Sequence, residues 1–377
     1  MRARERWQYL ARVPRIAWDV TVHGRYCFVF DHMPMAVRRM GWRQRLNTLR
    51  AGLNLVRRRL SPWAWPLNMQ FELASVCNLR CPICPVGSGE LARSVQFMDV
   101  DLFERVMAEV GPYLLVAVLW AWGEPLLHPE LGRLLAIARR YPLTTLISTN
   151  GQTLDQPGVQ RALQENPPTY LIVALDGLTD ETNSVYRKGA RLAPALAGVR
   201  ALADWKRRSG ARFPILHMRL LAMRHNEHEV PQLRQFAADH DFDMVSLRGL
   251  SIIDSPDERA HGDLLPQAPD LRPYVYQDGQ RVPRSDFICQ HAFTFPTLLS
   301  DGSVVPCEQD YNASRSYGGV TRDTSFSDIW FGAHAREVRK TVRDSAAALS
   351  FCRNCPFVDR STSSCTLESH FLRSFVP

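Results

Sequence analysis

Three cysteines stand close together in the stretch CNLRCPIC, where Cys77, Cys81 and Cys84 have the spacing C-x3-C-x2-C. Cysteine thiolates bind zinc or iron–sulfur clusters, and a structural zinc site normally uses four ligands. A cubane [4Fe–4S] cluster contains four irons, so three thiolates would leave one iron open to another molecule. The spacing therefore favours an open, catalytic iron–sulfur site. A zinc site completed by a distant fourth ligand is the alternative.

A second set of cysteines lies in the C-terminal third of the chain. Its members are Cys289, Cys307, Cys352 and Cys355. Two short apolar runs joined by the turn SDGS precede Cys307 and predict a β-hairpin. Four thiolates can complete one [4Fe–4S] cluster with no open iron, and a four-cysteine zinc site is the alternative. We expect Cys27 and Cys365 to be small apolar residues rather than ligands.

The segments that must position these cysteines alternate between apolar runs and amphipathic stretches. The apolar runs are at 70–75, 114–122, 143–149, 170–176, 215–223 and 243–249. Near-continuous apolar strands separated by helical periods are typical of a parallel sheet with crossover helices. Six such units are too few for a closed eight-unit barrel, which takes about 250 residues, so we predict a partial (β/α)6 barrel. Both the first cysteines and the chemistry then belong at the carboxyl ends of the strands.

Composition limits the class of protein further. The chain has 377 residues, of which 45% are hydrophobic and nine are cysteine. It contains no apolar run long enough for a transmembrane helix and no signal-peptide core after MRARERWQYLARVPR, so a cytoplasmic protein is expected. Cysteines in such a protein indicate metal or redox chemistry rather than a disulfide framework.

The net charge of +8 is concentrated at the N-terminus, because residues 1–62 contain 14 arginines and three acidic residues. Within this arm, the stretch 42–60 has an apolar stripe with helical spacing. The stripe consists of Leu46, Leu49, Leu53, Val56 and Leu60, and arginines flank it. Three interpretations remain open: a helix packed on the protein's own body, a helix at an anionic membrane surface, or a docking helix for an acidic partner. Nucleic acid is the least favoured partner, because no recognisable nucleic-acid module accompanies the arginines.

With its position after the first predicted strand, CNLRCPIC resembles the signature of the radical S-adenosylmethionine (SAM) superfamily. Three further stretches agree with this resemblance. They are AWGEPLLHPEL at 121–131, STNG at 148–151 and LDGLTDETNSVYRKGA at 175–190. Each follows a predicted strand in the expected order. One departure is Trp122, which replaces the first glycine of the family's GGEP motif.

The resemblance implies roles for residues in these stretches. Cys77, Cys81 and Cys84 would hold the SAM-cleaving cluster. The residues implied in binding SAM are Gly123, Glu124, Ser148, Asn150 and Arg187. Arg187 fits the SAM carboxylate, because a guanidinium binds a carboxylate through two hydrogen bonds.

The C-terminal cysteines resemble the SPASM domain, including the helix start SFSDIW at 325–330. A full SPASM domain has seven cysteines, so four are closer to the abbreviated form called Twitch, with one auxiliary [4Fe–4S] cluster. Glu308 directly follows Cys307, where related enzymes carry an acidic residue that removes a proton from the substrate. The resemblance therefore implies that Glu308 is a catalytic base, with a solvated hairpin residue as the alternative.

Taken together, the predicted fold is α/β: a partial (β/α)6 TIM-type barrel with a small α+β iron–sulfur domain and a basic helical arm. The predicted boundaries are 1–65 for the arm, 66–285 for the radical SAM core and 286–377 for the SPASM/Twitch-like domain and tail.

The resemblance implies an enzyme that cleaves SAM to a 5′-deoxyadenosyl radical, which abstracts hydrogen from a substrate. We expect a small-molecule or lipid substrate first, with a peptide or protein maturase as the alternative and a non-catalytic iron–sulfur or zinc module as a third class. The resemblance implies an electron donor such as flavodoxin or ferredoxin as a partner. One of the three interpretations of the arm adds a contact with a membrane surface. The expected location is the cytoplasm, and that interpretation would place the protein at the inner membrane surface.

Overall fold

A computed structural model describes residues 13–57, 59–252, 257–282, 289–353, 355–359 and 365–373. Among these residues, no helix combines the length and the apolar character that a membrane crossing requires.

The N-terminal region contains more than the predicted helix. A π-helical turn, Asp19–His23, precedes the antiparallel hairpin of β1 (Tyr26–Phe30) and β2 (Met33–Val37). The predicted helix follows as α1 (Trp42–Arg57). The hairpin itself was not predicted from the sequence.

Six parallel strands form the core and are hydrogen-bonded in chain order from β3 to β8. They are β3 (Asn68–Phe71), β4 (Val116–Val118), β5 (Thr144–Thr149), β6 (Tyr170–Ala174), β7 (Ile215–Ala222) and β8 (Met244–Gly249). The accompanying helices are α2 (Pro85–Ser88), α3 (Val100–Val110), α4 (Leu131–Arg139), α5 (Pro157–Glu165), α6 (Asp180–Tyr186), α7 (Leu192–Ser209) and α8 (Leu233–Asp239). The prediction of a partial six-unit barrel is confirmed.

Helix α3 illustrates how the outer layer forms. The Asp99 side chain accepts a hydrogen bond from the Leu102 backbone N–H at 2.8 Å and caps the helix. Phe103 then points inward and meets Phe71 of β3 edge-to-face, with ring centroids 5.1 Å apart. Both rings are completely buried, and truncating such a side chain to alanine costs about 3–5 kcal/mol.

The N-terminal hairpin packs against the opposite, inner face of the barrel strands. Met33 and Met35 are buried in a cluster that includes Leu146 of β5 and Ile172 of β6. The Tyr170 hydroxyl donates to the Pro34 carbonyl at 2.7 Å. An open barrel leaves its interior strand face without helices, and the unbranched methionines fill this irregular space. Residues 26–37 are therefore part of the barrel's core packing.

Helix α1 packs on the body mainly through polar side chains, although the stripe residue Leu60, beyond the helix, packs against a buried cluster. Gln44, Asn47 and Asn54 are buried, whereas the stripe residues Leu46 and Leu53 are exposed. The Gln44 side-chain amide donates to the carbonyls of Leu114 and Pro142. Amide side chains can satisfy carbonyl groups at the ends of core elements, which leucines cannot. The polar face is thus the one that holds the helix.

Additional strands extend the parallel sheet at both edges. The C-terminal elements are β9 (Tyr276–Gln277), β10 (Gln280–Arg281), α9 (His291–Thr294), β11 (Thr297–Leu298), β12 (Ser303–Val305), β13 (Gly318–Gly319), α10 (Phe326–Trp330), α11 (Ala333–Asp344), α12 (Ser350–Arg353), α13 (Pro356–Asp359) and β14 (Thr366–Phe371). The predicted hairpin is present as β11 and β12, and β11 also pairs in parallel with β3. At the other edge, β14 pairs antiparallel with β8. The C-terminal region is therefore joined to the core by shared sheet hydrogen bonds.

Candidate active site

The loop after β3 carries the first three cysteines, as predicted. Cys77, Cys81 and Cys84 are all partly exposed. Burial, with a smaller contribution from the charge of Cys84, raises the pKa of the Cys77 thiol to about 11 and that of the Cys81 thiol to about 12. The three sulfurs therefore lie within electrostatic reach of one another. Iron binding would overcome the raised pKa values of these thiols, because a coordinated thiol loses its proton.

Hydrogen-bond donors are directed at the Cys77 sulfur. The Leu79 backbone N–H lies 3.4 Å from it, and the Asn150 side-chain amide lies 3.7 Å from it. Hydrogen bonds to cysteine sulfur tune the reduction potential of iron–sulfur clusters. Three neighbouring thiols with donors of this kind therefore fit a cluster held by three cysteines.

A close backbone contact at Gly87 shapes the same loop. A Cβ at this position would come within 2.6 Å of the Cys81 backbone nitrogen and 2.5 Å of its carbonyl oxygen. Any larger residue would therefore displace the backbone of Cys81. Gly87 was not predicted as a functional residue. Its place in CPICPVG, three residues after Cys84, is the sequence signal that could have indicated it.

The GEP turn after β4 contacts the cysteine loop directly. Gly123 has a φ of +96°, and a Cβ there would lie 2.3 Å from the Ala74 carbonyl oxygen. The Glu124 backbone N–H donates to the Val76 carbonyl at 2.7 Å. The left-handed conformation thus falls on the retained glycine and not on Trp122, so the replacement of the family's first glycine is tolerated.

Glu124 joins this turn to the end of β5. Its carboxylate is almost completely buried and accepts hydrogen bonds from the Leu126 and Asn150 backbone N–H groups, at 2.9 and 2.7 Å. Burial raises the pKa of Glu124, although these hydrogen bonds oppose the shift. Glu124 therefore holds Asn150, whose side chain reaches Asn78 at 2.8 Å and Cys77. In the structure, Glu124 and Asn150 position the loop.

Arg187 and Asp176 form a buried ion pair after β6. Arg187 Nε lies 2.7 Å from Asp176 Oδ2, and Asp176 Oδ1 accepts from the Leu221 backbone N–H at 2.9 Å. A guanidinium has two further NH2 groups that can bind a second carboxylate. Ser148 lies on β5, two residues after the inward-facing Leu146 and therefore on the same face. The predicted roles of Arg187 and Ser148 in binding SAM stay predictions.

A cavity of about 240 Å³ opens at the carboxyl ends of the strands. Its lining combines the core and the C-terminal region, and includes Ile83, Cys84, Trp122, Asp176, Tyr186, Arg187, Arg219, Arg248, Glu308 and Cys365. The Trp122 indole Nε1 donates to the Glu308 backbone carbonyl at 2.7 Å, which fixes the two regions together at the cavity wall. Sequence analysis missed Arg219 and Arg248 because a charged residue within an apolar strand carries no motif.

Glu308 and Cys365 both belong to this cavity wall. The position of Glu308 keeps its predicted role as a base open, and that role stays a prediction. Cys365 was expected to be a small apolar residue. It is buried, but its surroundings are polar, because Arg248 Nε donates a hydrogen bond to its sulfur at 3.0 Å. Cys27, by contrast, lies exposed on β1.

The second cysteine set is gathered in the C-terminal region. Burial raises the pKa of Cys307 strongly, and the charges of Cys289, Cys355 and Cys352 raise it further. The charges of the other three cysteines therefore act on Cys307, which places all four in one region of the C-terminal fold. Among the described residues, no group of three His, Cys, Asp or Glu side chains is arranged to hold a single metal ion, at this set or at the first.

A fully buried arginine supports this region. Arg339 donates to the carbonyls of Ala292 and Trp330 at 3.1 and 2.9 Å, and its guanidinium lies 4.1 Å from the Trp330 ring centroid. The Arg339 guanidinium also lies 4.9 Å from the Tyr317 ring centroid, and burial, then the charges of Cys289 and Cys307, raise the pKa of Tyr317. Carbonyl groups and aromatic faces satisfy this cation.

Comparisons with protein families agree with the site. Residues 71–237 match the radical SAM superfamily, and residues 289–356 match the SPASM iron–sulfur cluster-binding domain. Together the two matches cover more than half of the chain.

Two curated relatives align over most of the chain. The tungsten-containing aldehyde ferredoxin oxidoreductase cofactor-modifying protein of Pyrococcus furiosus is 24% identical over 70% of this chain and 80% of its own length. The PqqA peptide cyclase of Xanthomonas euvesicatoria is 24% identical over 77% of this chain and 80% of its own length. Other relatives align over only 26–46% of their own length.

The fold is also similar to that of a solved structure, SuiB of Streptococcus suis bound to the precursor peptide SuiA. The identity is 13%, the TM-score is 0.58, and the match covers 96% of this chain and 84% of SuiB. On the strength of the two family matches, the chain belongs to the SPASM branch of the radical SAM superfamily and is an enzyme that uses S-adenosylmethionine and [4Fe–4S] clusters.

Proposed function

We propose that this enzyme oxidatively modifies a peptide substrate. The observation that carries the proposal is the shared cavity, which is lined by Cys84 of the core and by Glu308 of the C-terminal region. The peptide is favoured over a small molecule or a lipid, which sequence analysis put first, because relatives include a PqqA peptide cyclase and the mycofactocin maturase MftC.

In this proposal, each cysteine set holds one [4Fe–4S] cluster. Cys77, Cys81 and Cys84 hold the cluster with an open iron, and the four C-terminal cysteines hold an auxiliary cluster. When bound, the first cluster supplies the electron that cleaves SAM to methionine and a 5′-deoxyadenosyl radical. A low-potential donor such as flavodoxin or ferredoxin supplies electrons to the enzyme.

The chain's own residues position the reactants and move a proton. The backbone of Gly123 and Glu124, together with Ser148 and Asn150, forms the SAM pocket, and Arg187 binds the SAM carboxylate. The substrate would be oxidised by giving a hydrogen atom to the 5′-deoxyadenosyl radical, an electron to the auxiliary cluster held by the four C-terminal cysteines, and a proton to a base. Glu308 accepts that proton, and its presence in the cavity lining directly after Cys307 supports this role.

The substrate class can be tested with fractions of a cell extract. The reconstituted enzyme is supplied with SAM and a reductant, and release of 5′-deoxyadenosine is measured with peptide, small-molecule and lipid fractions. We expect the peptide fraction to stimulate release, and protease treatment of that fraction to abolish the stimulation. Stimulation by a protease-resistant small-molecule or lipid fraction would refute the peptide proposal.

We also propose that the outer face of α1 rests on an anionic membrane surface. This face comprises Trp42, Leu46 and Leu53, whose exposed fractions are 70%, 39% and 52%. The Arg43 guanidinium lies 5.4 Å from the Trp42 ring centroid, and α1 contains no acidic residue. Because buried amides hold the opposite face, the helix cannot turn its leucines inward without losing these hydrogen bonds. An apolar stripe flanked by arginines is suited to anionic headgroups.

Sedimentation with lipid vesicles tests this contact. The protein should sediment with phosphatidylglycerol vesicles and much less with phosphatidylcholine vesicles. The double variant Leu46→Glu, Leu53→Glu should lose this binding, whereas Val275→Glu, at a valine with an exposed fraction of 57%, should keep it. Equal sedimentation of the double variant, or binding of single-stranded RNA in place of vesicles, would refute the membrane contact.

A further inference from the structure

Two arginines on neighbouring strands line the cavity, and one of them is buried and the other partly buried. Arg219 belongs to β7 and Arg248 to β8, and both line the cavity wall. In the strand register, Arg219 is opposite Ser246 and Arg248 is opposite Leu221, so the two arginines are diagonal neighbours. Neither belongs to a stretch that resembles a family motif.

The two guanidinium groups share a single carboxylate, supplied by the turn between β1 and β2. Asp31 Oδ2 lies 3.1 Å from Arg219 Nη2 and 2.9 Å from Arg248 Nη1. The other oxygen of Asp31 accepts a hydrogen bond from the Thr366 hydroxyl at 2.8 Å. Arg248 directs its remaining donors at the Cys365 sulfur. The carboxylate of Asp31 is therefore shared by the guanidinium groups of Arg219 and Arg248.

Arg219 is the less satisfied of the pair. Its side chain has an exposed fraction of 9%, and its Nε has no hydrogen-bond partner among the described residues. Burial, and then the charge of Arg248, lowers the pKa of Arg219 to about 10. A buried charge without full compensation is costly, so this guanidinium favours a further anion.

The other acids of the cavity do not provide that anion. Asp176 is paired with Arg187. Glu308 also lines the cavity and its charge acts on Arg248, but none of the hydrogen bonds among the described residues joins its carboxylate to Arg219 or Arg248. The cavity therefore has one positively charged wall, formed by β7 and β8.

We propose that Arg219 and Arg248 form a subsite that binds a carboxylate of the substrate, with Arg219 as the main contact. Given the peptide substrate proposed above, on which this inference rests, the carboxylate is the side chain of an acidic residue next to the site of modification. A guanidinium binds a carboxylate through two parallel hydrogen bonds, which fixes orientation as well as position. A cavity of about 240 Å³ suits one side chain rather than a folded domain.

Calorimetric titration of the reconstituted, SAM-bound enzyme tests the subsite without turnover. The probes are N-acetyl-glutamate N-methylamide, the matching glutamine compound as the neutral control, and inorganic phosphate. We expect the glutamate compound to bind more tightly than both. Arg219→Gln should weaken its binding about tenfold, the loss typical of one charge-assisted hydrogen bond, and Arg248→Gln should weaken it less.

Two further variants separate recognition from folding. Arg219→Lys keeps the charge without the planar fork, and should bind the glutamate compound with intermediate affinity. Arg234→Gln removes an exposed arginine on α8 and should bind like the wild type. Iron content and near-ultraviolet circular dichroism report whether each variant is folded.

The subsite is refuted if the glutamine compound binds as well as the glutamate compound, or if folded Arg219→Gln binds like the wild type. Preferential binding of phosphate would assign the wall to a phosphorylated substrate and refute the carboxylate. These outcomes are independent of the peptide-fraction experiment, which measures release of 5′-deoxyadenosine. A substrate peptide without acidic residues would leave the proposed function standing and remove only the subsite.

Discussion

The two cysteine sets differ in how the chain brings them together. The first set comes from the single stretch CNLRCPIC, whose turn is closed by local hydrogen bonds such as Cys84 N–H to the Cys81 carbonyl at 3.2 Å. The second set comes from segments between residues 289 and 355, which meet only after the hairpin and α9 to α13 have packed. A local loop can present an open metal position beside a cavity, whereas a set assembled by tertiary packing is suited to enclosing its metal.

The strongest test of this difference is the triple variant Cys77→Ala, Cys81→Ala, Cys84→Ala. We expect it to lose SAM cleavage completely and to lose about four irons per chain, the content of one cubane cluster. Release of 5′-deoxyadenosine and iron analysis measure the two effects. Cys27→Ala, which changes an exposed thiol, is the matched control. Retained cleavage in the triple variant would contradict the assignment.

The double variant Cys307→Ala, Cys352→Ala should affect the enzyme in the opposite way. Iron should fall from about eight to about four per chain, since two cubane clusters become one. SAM cleavage should continue while formation of the oxidised product stops, because only the auxiliary cluster is lost. Zinc in place of iron at this set, measured in the triple variant described above, would identify a structural zinc site.

Glu308→Gln tests the proton acceptor next to the second cysteine set. If Glu308 is the base, this variant should keep both clusters and SAM cleavage but form product at least about 100-fold more slowly, the usual effect of losing a general base. Glu337→Gln, on the exposed side of α11, is the control. Product formation at the wild-type rate would show that Glu308 is not the proton acceptor.

The smallest expected effect concerns the link between the two regions. Trp122→Phe removes the indole hydrogen bond to the Glu308 carbonyl and keeps most of the ring. Loss of one hydrogen bond should lower the free energy of unfolding by about 1 kcal/mol, or the melting temperature by about 2 °C. Scanning calorimetry compares it with Trp205→Phe on α7, outside the cavity wall. An unchanged melting temperature would mean that this bond does not couple the regions.

The sequence predicted the core well because buried parallel strands need continuous apolar runs. Observed β5 and β8 lie within one residue of the predicted runs at 143–149 and 243–249. The position of the first cysteine loop follows directly from the position of β3. Periodicity thus locates each strand and the loop at its end.

Features that depend on contacts between distant segments were missed. The hairpin of β1 and β2 is short, and only its packing inside the barrel explains Met33 and Met35. Helix α1 was predicted from its leucines, yet Gln44 makes hydrogen bonds to the protein body. Its partners are backbone carbonyls of distant segments, whose positions are known only once the fold is known. The cavity-lining role of Arg219 likewise has no local sequence signal, because its hydrogen-bond partner Asp31 is 188 residues away in the chain.

The hydrogen bond between Thr366 and Asp31 joins residues 335 positions apart and has a consequence for biosynthesis. A ribosome adds about 5–20 residues per second, so the CNLRCPIC loop emerges long before Cys365 completes the cavity wall and Thr366 binds Asp31. During that interval the first cysteines face an incomplete cavity. We therefore expect the iron–sulfur assembly machinery to have its widest access to this loop while the chain is still being made.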